Sequence, residues 1–285
     1  INPLPYKQHK LLSNERGKFM ALFGFIGAGN MGFALLKACY NTFGKNEVVY
    51  FDASSQKCLE AEKQLGIQAE DSNISVVKKC KYLVLAVKPQ FMPEVLDEIK
   101  DTVTNQIIIS IAAGISIESI REKLGFPAKI VRAMPNTPAL IYKGVTGISY
   151  SSGSFSDEEK EIIGRFFNSF GRYEVFDEKL MNAVTCASGS SPAYVYMFIE
   201  ALADSVVDLG IPRDKAYILA AQTVLGAASM VLETGEHPGA LKDKVCSPGG
   251  TTIAAIKALE EHGFRNAVMK ATEACFNRAE KLSLD

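Results

Sequence analysis

The amino-acid sequence predicts an α/β domain followed by an all-α domain. Short apolar runs alternate with amphipathic helical patterns as far as residue 176, which is typical of a parallel sheet flanked by helices. No strand pattern follows residue 176, and helical periodicity continues to the end of the chain. The length of 285 residues is enough for two domains of ordinary size.

The first domain is predicted to contain seven strands. Five buried strands are expected at 21–26, 48–51, 82–87, 107–111 and 130–134. Helices are expected between them near 30–43, 55–65, 72–79, 89–100 and 116–124. This alternation predicts βαβ units with right-handed crossovers. Two further strands, 145–150 and 172–176, flank a helix that opens with the capping-box sequence Ser156-Asp157-Glu158-Glu159.

The second domain is predicted to be entirely helical, with breaks at 210–212, 235–239 and 245–252. Two of its helices, 193–209 and 216–232, are apolar nearly all round. Such helices must be covered on more than one side, and one domain of this size does not readily cover two of them. We therefore expect self-association through this domain, as a dimer or a higher assembly.

Composition and charge exclude several classes of function. The net charge is −1 with acids and bases interspersed, so neither nucleic-acid nor membrane-surface binding is expected. No apolar run approaches the ~20 residues of a membrane span. The six cysteines are scattered and there are three histidines, which argues against disulfides and metal sites. The cysteine pattern fits a reducing, cytoplasmic location.

Residues 1–19 are polar, basic and aperiodic, and they lack the apolar stretch of a signal peptide. Met20 directly precedes the first apolar strand. We interpret residues 1–19 as a leader or an expression-derived extension outside the fold.

A glycine-rich loop follows the first predicted strand. Gly27, Gly29 and Gly32 match the pattern Gly-x-Gly-x-x-Gly between a strand and a helix. They would allow, in turn, a tight turn, close approach of a pyrophosphate, and packing of the helix on the strand. The loop Gly27-Ala28-Gly29-Asn30-Met31-Gly32 is therefore a predicted cofactor site, and residues 20–176 a Rossmann-like dinucleotide-binding domain.

The choice between NADH and NADPH stays open in the sequence. Asp52 ends the second strand, where an acidic side chain can accept hydrogen bonds from an adenosine ribose 2′-hydroxyl. Ser54, Ser55 and Lys57 can instead hold a 2′-phosphate if Asp52 turns outward. A turn residue without a ligand is also a reasonable interpretation of Asp52.

Two more loops follow strands at the edge where open α/β sheets bind ligands. Val87, Lys88 and Pro89 end the third apolar run, and Lys88 can donate to a cofactor ribose or to the substrate. Asn136 lies in a proline-rich loop after the fifth strand, where its amide can recognise the nicotinamide carboxamide. Each loop can also be a stiff connection without a ligand.

A second glycine loop interrupts the helical domain at 245–252. Pro248 fixes one φ angle, while Gly249 and Gly250 leave backbone amides bare. Thr251 and Thr252 can cap the helix that follows. A helix start with exposed amides binds anions, and a carboxylate satisfies it as well as a phosphate. A plain capped turn is the simpler alternative for this segment alone.

Several motifs together resemble pyrroline-5-carboxylate reductases. The glycine-rich loop, the 87–89 segment, the 132–138 loop, the 188–194 segment and the 236–252 segment occur in the order seen in that family. The stretch from Glu233 to Thr252 is similar to the family's signature nearly residue for residue. The resemblance extends from about Met20 to Leu282.

The resemblance implies reduction of 1-pyrroline-5-carboxylate to L-proline by NADPH or NADH, the last step of proline biosynthesis. It implies a dinucleotide-binding domain and a helical dimerisation and substrate-binding domain, here 177–285. The substrate carboxylate would bind at Ser247, Gly249, Gly250, Thr251 and Thr252.

Thr252, Ser247 and Glu236 are the catalytic candidates. Thr252 would lie near the ring nitrogen, and Glu236 would either stabilise positive charge or cap the helix that begins at Pro238. A substrate imine that takes its proton from solvent needs alignment more than acid catalysis.

Two alternative functions fit the sequence less well. A β-hydroxyacid dehydrogenase would need a lysine near the start of the first long helix, and the sequence Ser190-Ser191-Pro192-Ala193-Tyr194 has none. A non-catalytic nicotinamide-sensing protein would have no use for the glycine loop at 247–252. Oxidation of NADH or NADPH by pyrroline-5-carboxylate would distinguish the three.

Overall fold

The computed structural model describes residues 20–151, 153 and 155–284. The predicted extension 1–19 lies outside the described residues. Within the described residues, seven strands form one sheet: β1 Ala21–Ile26, β2 Val48–Phe51, β3 Cys80–Leu85, β4 Ile107–Ser110, β5 Lys129–Met134, β6 Gly144–Tyr150 and β7 Gly171–Val175.

The sheet has the order β2-β1-β3-β4-β5-β6-β7. All neighbouring strands are parallel except β5 and β6, which pair antiparallel with Val131 opposite Tyr150. The two-domain fold class, with a Rossmann-like sheet first, is thus confirmed. The third strand begins two residues before its predicted start, because the preceding helix runs directly into it at Cys80, and Val87 lies beyond its end.

In the part of the chain that the structure describes, six α-helices accompany the sheet: α1 Asn30–Phe43, α2 Ser55–Leu65, α3 Asn73–Lys79, α4 Met92–Ile99, α5 Ile117–Leu124 and α6 Asp157–Asn168. The predicted helix at 89–100 is divided, since Pro89–Phe91 forms a 3₁₀ turn before α4 begins. Ser156 and Glu159 form the predicted capping box at the start of α6.

Alternation along the strands places the core on both faces of the sheet. Phe23 and Phe25 point to one face, where Phe166 of α6 stacks on Phe23 with ring centroids 5.0 Å apart. Ile26 and Leu85 belong to the core on the other face, which packs against α3, α4 and α5. Burial on both faces is characteristic of parallel sheets and explains the continuous apolar runs. The two cores hold the strands rigidly, and the candidate site lies at the carboxyl ends of those strands.

The chain after β7 is helical: α7 Met181–Val184, α8 Pro192–Asp208, α9 Arg213–Thr234, α10 Pro238–Val245, α11 Thr251–Glu261 and α12 Phe264–Leu284. A π-helical segment, Thr185–Ser190, joins α7 to α8. The second compact unit, Ser190–Arg278, contains α8 to α11 and most of α12, while the first contains all seven strands.

The helical unit has a small core of its own. Ala203 of α8 forms a buried cluster with Ala216 and Ala220 of α9. Many large apolar side chains of this unit are exposed in the single chain, namely Tyr196, Met197, Ile218, Leu219, Leu225, Met230, Leu232, Val268 and Met269. This exposure is what the sequence predicted for helices that need a second subunit.

Helix α9 is, within the described part of the chain, the one helix long and apolar enough to cross a membrane by length and composition alone. No segment of that kind is expected from the sequence. The difference arises because α9 intersperses small and weakly polar residues among its apolar ones, so no unbroken apolar run is visible. One such helix is weak evidence for a membrane segment.

Candidate active site

Three loops of the first unit meet at the carboxyl ends of β1, β2 and β3. The register places Ile26 beside both Phe51 and Leu85. The amide of Gly27 donates to the carbonyl of Phe51 at 2.8 Å, and the amide of Ala86 donates to the carbonyl of Ile26 at 2.8 Å. The glycine-rich loop therefore lies between the loop that carries Asp52 and the loop that carries Lys88.

The three glycines of the first loop occupy positions with different constraints. Gly27 has φ +101°, and a Cβ there would lie 2.6 Å from the carbonyl oxygen of Ala86. A Cβ on Gly32 would lie 2.3 Å from the carbonyl oxygen of Gly27. A Cβ on Gly29 would have nothing within 4 Å except the Lys57 ammonium, at 3.7 Å. Gly29 is thus the open position, and the other two are held by packing.

The open position lies at the N-terminus of α1. Gly29 is the N-cap residue, and the amide of Phe33 donates back to its carbonyl at 2.7 Å. The amides of Asn30, Met31 and Gly32 come before the first intrahelical bond and point towards the loop. A bare helix start beside a glycine with no steric neighbour fits a dinucleotide pyrophosphate.

The Asp52 carboxylate is bound to the backbone of two loops. Its Oδ2 accepts a hydrogen bond from the Ala28 amide at 2.7 Å, and its Oδ1 accepts one from the Ser54 amide at 2.8 Å. The side chain is 9% exposed, and the Lys57 ammonium lies 3.6 Å from Oδ2. Asp52 therefore joins the glycine-rich loop to the start of α2. A role in reading the ribose stays a prediction.

Helix α2 is anchored beneath these loops by Tyr50 of β2. The Tyr50 hydroxyl donates to the carbonyl oxygens of Cys58 at 3.0 Å and Ile67 at 3.3 Å. Burial, with smaller contributions from nearby acidic groups, raises the pKa of Tyr50 to about 12, so the hydroxyl remains a donor at neutral pH. The thiol of Cys58 also donates to the Asp52 carbonyl at 3.2 Å. These bonds hold Ser54 and Lys57 beside the glycine-rich loop.

Lys88 and Asn136 occupy very different surroundings. Lys88 is exposed and precedes the 3₁₀ turn that Pro89 begins, while Val87 is half-buried beside Gly27. Asn136 is 8% exposed and engaged at both ends of its amide. Its Nδ2 donates to the Ser188 carbonyl at 3.1 Å, and its Oδ1 accepts from the Val145 amide at 2.9 Å. The structure thus gives Asn136 a structural function, and the carboxamide contact stays a prediction.

Arg132 and Glu178 form an ion pair that was not predicted from the sequence. The Arg132 guanidinium donates to Glu178 Oε1 at 3.1 Å, and the same oxygen accepts from the Ile117 amide at 2.7 Å. Arg132 is nearly buried on β5, so the pair ties the segment after β7 to the start of α5. The only sequence signal was an arginine within an otherwise apolar strand.

The second candidate loop, in the helical unit, joins α10 to α11. Gly249 adopts φ +68°, and the Gly250 amide donates to the Ser247 carbonyl at 3.1 Å. A Cβ on Gly250 would lie 2.5 Å from Ser247 Oγ, so a larger residue there would force the serine hydroxyl to turn away. The loop is a tight turn whose serine hydroxyl lies beside the N-terminus of α11.

The expectation that a threonine caps α11 is wrong. Gly250 is the N-cap residue and has an extended backbone, so Thr251 and Thr252 are the first two helical residues. A glycine has no side chain that can accept from the first amides of the helix. Among the described residues no side chain caps this helix, so the amides of Thr251 and Thr252 can donate to a ligand.

Glu236 does not cap α10, which corrects one of its two proposed functions. His237 is the N-cap residue, and its Nδ1 accepts from the Gly239 amide at 3.1 Å. The Glu236 carboxylate instead accepts from the Lys244 ammonium at 2.5 Å. The capping interpretation failed because a histidine one residue later has an acceptor nitrogen within reach of the same helix start.

Metal chemistry receives no support from the arrangement of side chains. Among residues 20–151, 153 and 155–284, no group of three or more His, Cys, Asp or Glu side chains could hold a metal ion. All six cysteines are free.

Two family models match the chain. The one described as "Pyrroline-5-carboxylate reductase dimerisation" matches residues 178–282. The one described as "NADP oxidoreductase coenzyme F420-dependent" matches residues 22–114. The matched ranges correspond to the helical part and to the glycine-rich part of the sheet domain.

Similar proteins cover nearly the whole chain. The pyrroline-5-carboxylate reductase of Escherichia coli (strain K12) is 46% identical over 264 residues, which are 91% of this chain and 97% of that protein. The enzyme of Pisum sativum is 40% identical over 263 residues, 91% of this chain and 95% of that protein.

Solved structures give the same result. A pyrroline-5-carboxylate reductase from Coxiella burnetii aligns with TM-score 0.86 and 34% identity, covering 93% of this chain and 99% of that one. The Plasmodium falciparum protein with NADP bound aligns with TM-score 0.82 and 33% identity, over 92% and 98% of the two chains. This chain, with its dinucleotide loop and its helical dimerisation domain, belongs to the pyrroline-5-carboxylate reductase family.

Proposed function

We propose that this protein reduces 1-pyrroline-5-carboxylate to L-proline with NADPH or NADH, the last step of proline biosynthesis. The loop at 247–252 carries the proposal, because it offers bare amides at the start of α11 in a chain that also has a dinucleotide loop. Family membership supports the pairing of these two loops in one enzyme.

The helical loop would recognise the carboxylate of the substrate. The amides of Thr251 and Thr252 precede the first intrahelical bond of α11, and the Ser247 hydroxyl lies beside Gly250. Amides and a hydroxyl at a helix N-terminus stabilise a carboxylate through hydrogen bonds and the helix dipole. The carboxylate fixes one end of the ring, so the ring nitrogen and imine carbon have a defined position.

The bound nicotinamide supplies the hydride, and the protein must align and polarise the imine. We infer that Thr252 lies at the ring nitrogen, donating to it or accepting from its proton. Glu236 would place negative charge near the protonated imine, which is the better hydride acceptor. Ser247 would assist by holding the carboxylate. Solvent would supply the proton.

The test is oxidation of NADPH or NADH on addition of pyrroline-5-carboxylate, followed as loss of absorbance. Thr252→Ala should lower kcat with little effect on coenzyme affinity, and Thr252→Ser should restore most of the activity. Thr272→Ala on α12, where the hydroxyl bonds only to the Val268 carbonyl among described contacts, is the matched control. Absence of turnover with either coenzyme would overturn the assignment.

We also propose that NADPH is the preferred coenzyme. Asp52 does not turn outward, but both of its oxygens accept backbone amides and the Lys57 ammonium lies 3.6 Å from one of them, so the negative charge that would repel a 2′-phosphate is offset. Ser54 and Ser55 add hydroxyls at the start of α2. Lys57→Met should reduce the ratio of kcat/KM for NADPH to that for NADH, while Lys63→Met at the far end of α2 should not.

Self-association of the helical domain follows from the family model that covers it. We propose that the protein assembles beyond the dimer and that the domain boundary lies near residue 177. We also propose a cytoplasmic location, with no nucleic-acid or membrane partner. The exposed apolar residues of α8, α9 and α12 support self-association, because the small core of this unit leaves them uncovered in the single chain. Sedimentation velocity measures the subunit count directly.

A further inference from the structure

The ion pair between Lys244 and Glu236 lies next to the proposed substrate loop. The Lys244 ammonium donates to Glu236 Oε2 at 2.5 Å, from the last turn of α10 to the residue before its N-cap. Lys244 is separated from Ser247 by three Cα steps, at most about 11 Å. Lys244 is therefore close to the loop along the chain, and its flexible side chain can turn from Glu236 towards Ser247.

The loop has no charge of its own. Residues 245–256 include no Asp, Glu, Lys, Arg or His. The other lysine of α10, Lys242, is bonded to the Asp243 carboxylate. Lys244 is therefore the cation nearest in sequence to a loop that is proposed to bind an anion.

The pair is held weakly enough to exchange partners. The Lys244 side chain is 63% exposed and that of Glu236 is 39% exposed. Exposed ion pairs contribute little to stability because water competes for both charges. A carboxylate in the loop would compete for Lys244 with additional support from the amides of Thr251 and Thr252, which Glu236 lacks.

We propose that Lys244 is a specificity residue for the substrate carboxylate, and that its ammonium leaves Glu236 for that carboxylate when the substrate enters the loop at 247–252. The exchange frees the Glu236 carboxylate from its cation, so its negative charge acts on the protonated imine in the bound state only. This inference rests on the proposed function. It adds Lys244 as the residue that couples carboxylate binding by the loop to the effect of Glu236 on the imine.

The role is tested by a pair of substrates that differ only in the carboxylate. With the full enzyme and saturating NADPH, Lys244→Met should raise KM for pyrroline-5-carboxylate about tenfold, since a charge-assisted hydrogen bond is lost. KM for 1-pyrroline, the same ring without a carboxylate, should change less than about twofold. Lys244→Arg should restore most of the affinity for pyrroline-5-carboxylate.

Two further measurements separate this role from a structural one. The Kd of L-proline, measured by calorimetry on the enzyme without coenzyme, should rise with Lys244→Met, because no hydride acceptor is present and only binding is observed. Lys242→Met is the matched control on the same helix and should leave both KM values unchanged. Glu236→Gln should lower kcat but not raise KM for pyrroline-5-carboxylate, because it releases Lys244.

The outcomes that contradict the proposal are distinct from failure of the proposed function. An unchanged KM for pyrroline-5-carboxylate in Lys244→Met, or an equal rise for both substrates, overturns the role of Lys244 alone. A wild-type protein that oxidises neither coenzyme with pyrroline-5-carboxylate overturns the function and this inference together.

Discussion

The carboxylate of Asp52 accepts the backbone amide of Ala28 at 2.7 Å, across 24 residues of sequence. Its second oxygen accepts the amide of Ser54, so one largely buried side chain fixes the conformation of two loops at the edge of the sheet. Hydrogen bonds from backbone amides to a charged acceptor are stronger than those to a neutral one. We infer that Asp52 positions the glycine-rich loop for either coenzyme.

Asp52→Asn should therefore weaken NADPH and NADH binding together. An asparagine keeps one acceptor oxygen, but its NH₂ group takes the place of the other oxygen. That NH₂ group is a donor and would face a backbone amide, which is also a donor. We expect Kd to rise about tenfold for both coenzymes, as for loss of a hydrogen bond to a charged group. Fluorescence titration with each coenzyme measures this. A change of about tenfold or more in the ratio of the two affinities would instead identify Asp52 as the residue that reads the ribose.

The glycines of the first loop should separate stability from coenzyme binding. Gly32→Ala places a Cβ 2.3 Å from the Gly27 carbonyl oxygen, so the backbone must shift and the melting temperature should fall. Gly29→Ala meets only the end of the flexible Lys57 side chain, at 3.7 Å, and should fold normally. Its methyl group would nevertheless occupy the approach of the pyrophosphate, and the Kd of NADPH should rise about tenfold or more. Equal melting temperatures for the two variants would contradict this assignment.

The sequence predicted the fold and both loops, but not the hydrogen bonds that connect them. Apolar runs and glycine spacing are local patterns, and they located all seven strands and the turn at Gly249. The partners of Asp52, Asn136 and Glu236 depend on long-range packing or on a competing neighbour, which no local pattern contains. The antiparallel pairing of β5 and β6 was likewise not predicted, because strand direction follows from the path of the connection.

Asn136→Asp should destabilise the protein. The substitution keeps an acceptor for the Val145 amide but removes the donor to the Ser188 carbonyl, and it places a carboxylate against that carbonyl. We expect a loss of about 1–3 kcal/mol in the free energy of unfolding, measured by urea denaturation. Asn41→Asp, at an exposed amide that bonds to the Tyr142 hydroxyl, is the control and should cost much less. Unchanged stability with a loss of NADPH affinity would favour the carboxamide contact.

Ile218→Glu should disrupt self-association. Ile218 is 69% exposed on α9, and a glutamate buried in an apolar interface leaves an unpaired charge there. Sedimentation velocity should show a smaller species or a strongly raised dissociation constant. Leu59→Glu introduces the same charge at a residue of α2 with 61% exposure, outside the dimerisation domain, and should leave the assembly intact. An unaffected assembly in Ile218→Glu would place the interface on another face of the helical unit.

Glu159 should make the stability of the protein fall in acid. Burial by itself raises the pKa of this carboxyl, but hydrogen bonds from the Lys129 ammonium and the Ser156 amide lower it more, to below its ordinary value of 4.5. A lowered folded-state pKa stabilises the protein above the unfolded value, and the stabilisation is lost as pH falls through the folded value. Near neutral pH, Glu159→Gln should thus be less stable than the wild type by about 0.5–1 kcal/mol.

The difference between Glu159→Gln and the wild type should shrink below pH 4.5, where the carboxyl takes up protons in the unfolded chain before it does so in the folded protein. Urea denaturation at several pH values measures it. Glutamine keeps an oxygen for the Ser156 amide, so the difference reports the charge interaction with Lys129 rather than the loss of the helix cap. Glu158→Gln, an exposed neighbour in the same turn of α6, is the control and should show a smaller difference. A difference that does not depend on pH would mean that the Lys129 pair does not stabilise the fold.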